Sequence, residues 1–270
     1  MIIHPQQALK AMILLLFCGF LLMLHHTGEI NSFINPKYSS FSQVASVLFL
    51  LLFFIQASRI FLTKEQAEDH QYCSIVGCSH ELDDDKTRKN MIGYVIVCLP
   101  LVTGFFLPYS ELGAAEALNR GICYSTSETH TGHSHDIPEV SLNDMVHAMI
   151  EEPVLIIDNA NFATRIQSIQ AAPTHFIGKP IKLEGFTFVD ESVADGSPIL
   201  ARFIVTHCVA DAHVTGLILS SDDEELLEED IWVRVQGVLD VKHENGQILP
   251  IIDVKQWEKT DEQKQPYVYP

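Results

Sequence analysis

The stretch IKLEGFTF, residues 181–188, alternates apolar and polar side chains with a period of two and carries a glycine at its centre. Successive side chains of an extended strand face opposite sides, so Ile181 and Leu183 are expected on one face. Just upstream the spacing is helical: Phe162, Ile166 and Ile169 recur at intervals of four and three, and Pro173 ends that pattern. Downstream the strand period persists. Residues 199–205, 214–219, 231–241 and 248–254 are four more strand candidates, bounded by Gly, Asp, Asn and Ser.

Five short strands with glycines at 185, 216 and 237 suit a small, strongly bent barrel, because a missing side chain lets a strand turn a corner. The expected C-terminal domain, residues 141–270, is therefore α+β to all-β: an OB-like five-stranded barrel with flanking helices. An open sheet packed on two helices is the competing arrangement. Ser141-Leu142-Asn143-Asp144 reads as a helix start with an N-cap hydroxyl and an acidic first turn. Residues 108–140 read as a polar, His-containing linker.

Further upstream the chain changes character. To Leu107 it holds 7 Lys and Arg against 8 Asp and Glu, whereas Pro108 onward holds 10 against 27, so nearly all of the formal charge of −18 lies in the second part. Three apolar runs, 8–24, 44–62 and 91–107, match the ~20 residues that cross a hydrocarbon core of about 30 Å. Residues 1–107 thus read as a three-helix transmembrane region with a Cys/His loop at 63–90. A cleaved signal peptide is disfavoured, because His25-His26-Thr27-Gly28-Glu29 follows the first run without a small-residue site. Phe17 before Cys18 argues against a lipoprotein signal.

Lys10, Arg59, Lys64, Lys86, Arg88 and Lys89 flank the N-terminus and second loop, while the first loop holds only Lys37. Basic residues stay cytoplasmic, so the N-terminus and the 63–90 loop are expected inside and the acidic domain outside a multi-pass cell-membrane protein.

Three clusters carry candidate chemistry. HQYCSIVGCSH places His70, Cys73, Cys78 and His80 within eleven residues, imidazoles and thiolates that Zn²⁺ takes tetrahedrally. HTGHSHD places His130, His133 and His135 in the linker, where imidazoles on a polar spacer gather round an ion. RFIVTHCVADAHVTG places His207, Cys208, Asp211 and His213 at the end of a strand. His207 and Cys208 alternate across the strand, so one pocket receives both only if the strand bends or ends there. Metal binding, a Cys-His pair and a purely structural role are the readings of that segment. Zn²⁺ is the expected cofactor.

The motifs GFTFVD, RFIVTHCVADAHVTGL, WVRVQGVLDV and the terminal PYVYP resemble a family of bacterial membrane proteins described as subunits of two-component permeases. Such proteins are typically encoded beside a larger integral-membrane permease related to arsenite-type efflux permeases. The resemblance implies a membrane-anchored accessory subunit with that permease and the lipid bilayer as partners, and the settings of such pairs point to zinc homeostasis. The family usually has Cys-Cys where this chain has His207-Cys208, which weakens a dithiol redox role and leaves imidazole ligation open.

Other classes fit less well. A strongly acidic domain without a basic aromatic stripe disfavours nucleic acid. An enzyme is not expected, because no nucleophile elbow or metalloprotease helix motif is present. The run SSDDEELLEED, residues 220–230, lacks the spaced ligands and glycine of an EF-hand and reads as a solvated helical turn. A structural scaffold of the permease and a metal-free ligand-binding barrel remain as alternatives.

Overall fold

The computed structural model describes residues 5–60, 84–107, 112–120, 122–123, 139–190, 193 and 196–270 except 222, 224–225, 227, 229, 245, 262 and 264–265. The chain forms two units, Met1–Asn31 with Pro36–Ser110, and Ser32–Asn35 with Glu111–Pro270.

In the first unit, α1 (Pro5–Thr27) and α2 (Ser39–Ser58) pack together. Polar pairs join them at opposite ends: Gln56 Nε2 donates to Gln7 Oε1, and His25 Nε2 meets Ser42 Oγ at 2.8 Å. Phe17 stacks on Phe49 between them. Two segments, Gln6–Thr27 and Pro36–Ser58, are long and apolar enough to cross a membrane. Leu15, Leu51 and Phe54 lie exposed on their outer faces, as lipid-facing side chains do.

The third apolar run forms α3 (Asp84–Phe106), which continues through Pro100. Its apolar part, Ile92–Phe106, falls short of the other two because the helix opens on charged residues. At Gly104 an added Cβ would lie 2.5 Å from the Phe20 ring, so the missing side chain lets α1 and α3 touch.

The second unit is a closed five-stranded mixed barrel with flanking helices. Among the described residues its strands are β1 (Ile122–Cys123), β2 (Leu155–Ile156), β3 (Pro180–Val189), β4 (Pro198–Ile204), β5 (His213–Ser220), β6 (Trp232–Glu244), β7 (Gln247–Lys259) and β8 (Tyr267–Val268). Strands β3, β4 and β5 form an antiparallel meander, β5 pairs parallel with β7, β7 antiparallel with β6, and β6 returns antiparallel to β3. That closed order is the OB topology expected from the sequence.

The corners fall at the expected glycines. At Gly185, where β3 passes from β6 to β4, a Cβ would lie 2.5 Å from Ala201 O, and at Gly216 it would lie 2.2 Å from Leu200 O. Gly237 sits at a β-bulge between β6 and β7.

Helices α4 (Ala114–Arg120), α5 (Glu139–Glu151) and α6 (Phe162–Ala171) flank the barrel. Phe162, Ile166 and Ile169 of α6 are buried beside Leu200 and Leu217, as their spacing requires. A second apolar cluster joins Ala114 and Ala117 of α4 to Phe186, Phe203, Val214 and Tyr267.

Three expectations change. Helix α5 begins at Glu139, ahead of Ser141. The folded unit takes in Glu111 and α4, so residues 108–140 are not all linker: alanines at 114 and 117 supply an apolar face that packs on the barrel. The acidic run is also pinned to the domain, because Leu226 is fully buried and Asp223 accepts a bond from Trp257 Nε1 at 2.8 Å.

Candidate functional site

Strand β4 leaves the barrel at Ile204, and within nine residues the chain re-enters as β5 at His213. The connection is one 3₁₀ turn, Val209–Asp211, and Asp211 organises it. Its Oδ1 accepts Thr206 N–H at 3.1 Å, and its Oδ2 accepts His207 N–H at 2.9 Å and Cys208 N–H at 3.4 Å. His207 Nδ1 lies 3.0 Å from the same Oδ2. Cys208 closes the turn reciprocally, its side chain accepting from the Asp211 backbone. Burial alone would push the Asp211 carboxyl up, but the bonds from His207, Cys208 and Thr206 outweigh it and hold the pKa below 3.8.

Two other segments grip the turn. Arg120 Nη1, at the end of α4, donates to Val209 O at 3.2 Å and Ala212 O at 2.8 Å. From the α1–α2 connection, Asn35 N–H donates to His207 O at 3.0 Å and Phe33 O accepts Val209 N–H at 2.8 Å, so that Ile34 and Cys208 are bridge partners. The Asn35 side chain, only 3% exposed, donates to Thr206 O at 2.9 Å and Val205 O at 3.4 Å.

The turn therefore brings His207 and Asp211 together but not the full set. Cys208 is a free thiol, and His213 lies on β5 opposite Ile204. Among the described residues no three of His, Cys, Asp and Glu are gathered to hold a metal ion. Asp211 already serves three backbone N–H groups and one imidazole, so these residues do not fit a zinc centre as arranged. His70, Cys73, Cys78, His80, His130, His133 and His135 lie outside the described residues.

The surface on which OB barrels usually bind their ligands, the face of the second and third barrel strands, is covered. Those strands are β4, buried along its whole length, and β5, buried at every position from Val214 to Leu219. Tyr267 and helix α4 pack on Phe203 and Val214 there.

The sequence reading missed Arg202, the largest fully buried side chain. Its Nε donates to Pro266 O at 3.1 Å, and its Nη1 donates to Asn159 Oδ1 at 2.9 Å and Glu184 O at 3.4 Å. The guanidinium lies 4.9 Å from the Trp232 ring centroid and 5.9 Å from that of Phe162. Burial pushes its pKa down to about 10 against the pull of Glu184. The available signal was an arginine flanked by Ala201 and Phe203 inside an otherwise apolar strand.

Apolar helices joined to an acidic OB-like barrel define a membrane-associated protein with a folded extramembrane domain. The chain belongs to the DUF1980 family: residues 9–123 match its N-terminal domain and residues 134–270 its C-terminal domain. It is similar to the UPF0703 protein YcgQ of Bacillus subtilis, at 22% identity over 96% of this chain and 98% of that protein. It is also similar to a Streptococcus mutans protein named "Putative two-component membrane permease complex subunit", at 24% identity over 91% of this chain and 93% of that one.

Proposed function

We propose that this chain is the membrane-anchored accessory subunit of a two-component permease, and that its barrel serves there as an assembly module. The observation that carries the reading is the covered β4–β5 wall: the barrel spends its usual ligand face on its own helix and tail. The similarity to the streptococcal protein supports the permease setting.

Chain connectivity supports a three-span topology. Ser32–Asn35, between α1 and α2, is folded into the same unit as Leu112 and the barrel. If α2 crosses the bilayer, the chain must cross again before Leu112, and α3 is the apolar helix between them. Its apolar part reaches roughly 22 Å, a mismatch that local thinning of the bilayer accommodates. The Lys and Arg distribution supports a barrel on the outside.

Zinc handling is the second reading. It is favoured by His70, Cys73, Cys78 and His80 in the 63–90 loop and by His130, His133 and His135, not by the barrel turn.

Impermeant thiol labelling of intact cells tests the topology. Lys37→Cys and Asp240→Cys should react from outside and Lys64→Cys should not; labelling of 37 and 240 from opposite sides would refute it. Tagged full-length chain should co-purify an integral-membrane permease after cross-linking, and recovery of the chain alone would count against the subunit role. Elemental mass spectrometry of the same preparation reads zinc, and loss of metal on alanine replacement of the four loop residues would place it.

A further inference from the structure

The terminal residues Pro266–Pro270 are not a free tail. Strand β8 pairs parallel with β4, Phe203 opposite Tyr267 and Ile204 opposite Val268, along the part of β4 that β3 leaves unpaired. Tyr267 is 2% exposed and Val268 1%. Tyr267 packs edge-on against Phe203, while Pro266 O accepts from the buried Arg202.

Two further bonds give this strand a role beyond covering the barrel. The Tyr267 hydroxyl accepts Leu112 N–H at 3.0 Å, which fixes the chain where it arrives after α3. Val268 O accepts Val205 N–H at 2.9 Å, and the Val205 carbonyl is in turn held by the Asn35 side chain. One residue, Val205, is thus bonded on one side to the tail and on the other to the α1–α2 connection.

We propose that the terminal Pro-Tyr-Val-Tyr-Pro strand is a clasp. Together with Asn35 it fixes both membrane-derived junctions, Ser32–Asn35 and Leu112, to the end of β4. A displacement of the α1–α2 connection is passed to the β4–β5 turn and the tail, and not absorbed by a slack linker. The clasp does not depend on which substrate the permease carries.

Ile34 and Cys208 offer a direct test. The bonds flanking them, Asn35 N–H to His207 O and Val209 N–H to Phe33 O, make them a non-hydrogen-bonded antiparallel pair. Such pairs have Cα atoms about 4.5 Å apart, within disulfide range. In full-length protein in membranes, Ile34→Cys should form a disulfide with native Cys208 on mild oxidation, found as the dominant cross-linked peptide at position 34. A free Cys208, or one joined to another cysteine, would overturn the placement of the strap.

The clasp itself is read by hydrogen exchange in Tyr267→Phe, which removes only the acceptor hydroxyl. Exchange at the Leu112 amide should rise about fivefold, the equivalent of one ordinary hydrogen bond, while Val205 stays protected. An unchanged Leu112, or equal rises at both amides, would overturn the clasp, since the hydroxyl would then not hold that junction by itself.

Discussion

Replacing Arg202 by methionine puts a single buried cation on trial. Burial lowers its pKa to about 10, so burial by itself opposes the charged form. Against this stand three bonds donated by a charged group, at about 1.5–3 kcal/mol each and the longest of them weakest, and two aromatic-face contacts at about 0.5–2 kcal/mol each. Arg202→Met should lose about 2–4 kcal/mol, because it leaves Pro266 O, Asn159 Oδ1 and Glu184 O without their donor. Arg202→Lys should lose about 2–3 kcal/mol, because a lysine keeps the charge but cannot fork between three acceptors or stack on Trp232. Guanidinium unfolding of the full chain in detergent reads this directly, since both tryptophans, Trp232 and Trp257, lie in the barrel. A methionine variant as stable as the wild type would refute the reasoning, because well-packed apolar residues do replace some buried charges without loss. The pH dependence has a defined sign. The native guanidinium loses its proton near 10, below the point at which the unfolded one does, so between the two the unfolded state binds more protons. Wild-type stability should therefore rise relative to Arg202→Met across that interval and run parallel to it below.

Asp211→Asn should weaken the β4–β5 turn by about 1–2 kcal/mol at pH 7. Because the native Asp211 pKa lies below 3.8, the difference from wild type should be full above that value and vanish as pH falls through the native one, measured by denaturant midpoints at stepped pH. Asn35→Ala removes the donor to Thr206 O and Val205 O and should lower the midpoint by about 1–2 kcal/mol; an unchanged midpoint would mean the strap adds nothing to the domain. Gly216→Ala forces a Cβ to within 2.2 Å of Leu200 O and should cost about 2–4 kcal/mol or prevent barrel closure, seen as loss of the cooperative unfolding transition.

Strands β3 and β6 were legible from their alternation, β4, β5 and β7 as short apolar runs bounded by turn residues, and three glycines marked close backbone approaches. Strands β1, β2 and β8 were not, since two residues carry no period; each exists because a longer strand leaves part of one edge unpaired. The apolar run of β4 gave no warning of Arg202, whose place depends on acceptors at 159, 184 and 266. In the turn, residue type misled. His207, Cys208, Asp211 and His213 have the composition of a ligand set, yet the carboxylate is consumed by backbone N–H groups of its own loop, the commonest use of an aspartate at such a position.

Division of the sequence by composition also misplaced the boundary that bears most on function. Ser32–Asn35 belongs by sequence to a short loop between two apolar helices, and by bonding to the barrel domain. Asn35 is polar enough to look like loop and is buried because the carbonyls of Val205 and Thr206 need a donor where β4 ends. A barrel that uses its ligand wall, its terminal strand and the buried Arg202 to secure chain segments from elsewhere has little free surface left on β4 and β5. What it offers a partner must come from its other faces: the acidic exterior, the β6–β7 hairpin, or the exposed imidazole of His207 at the turn.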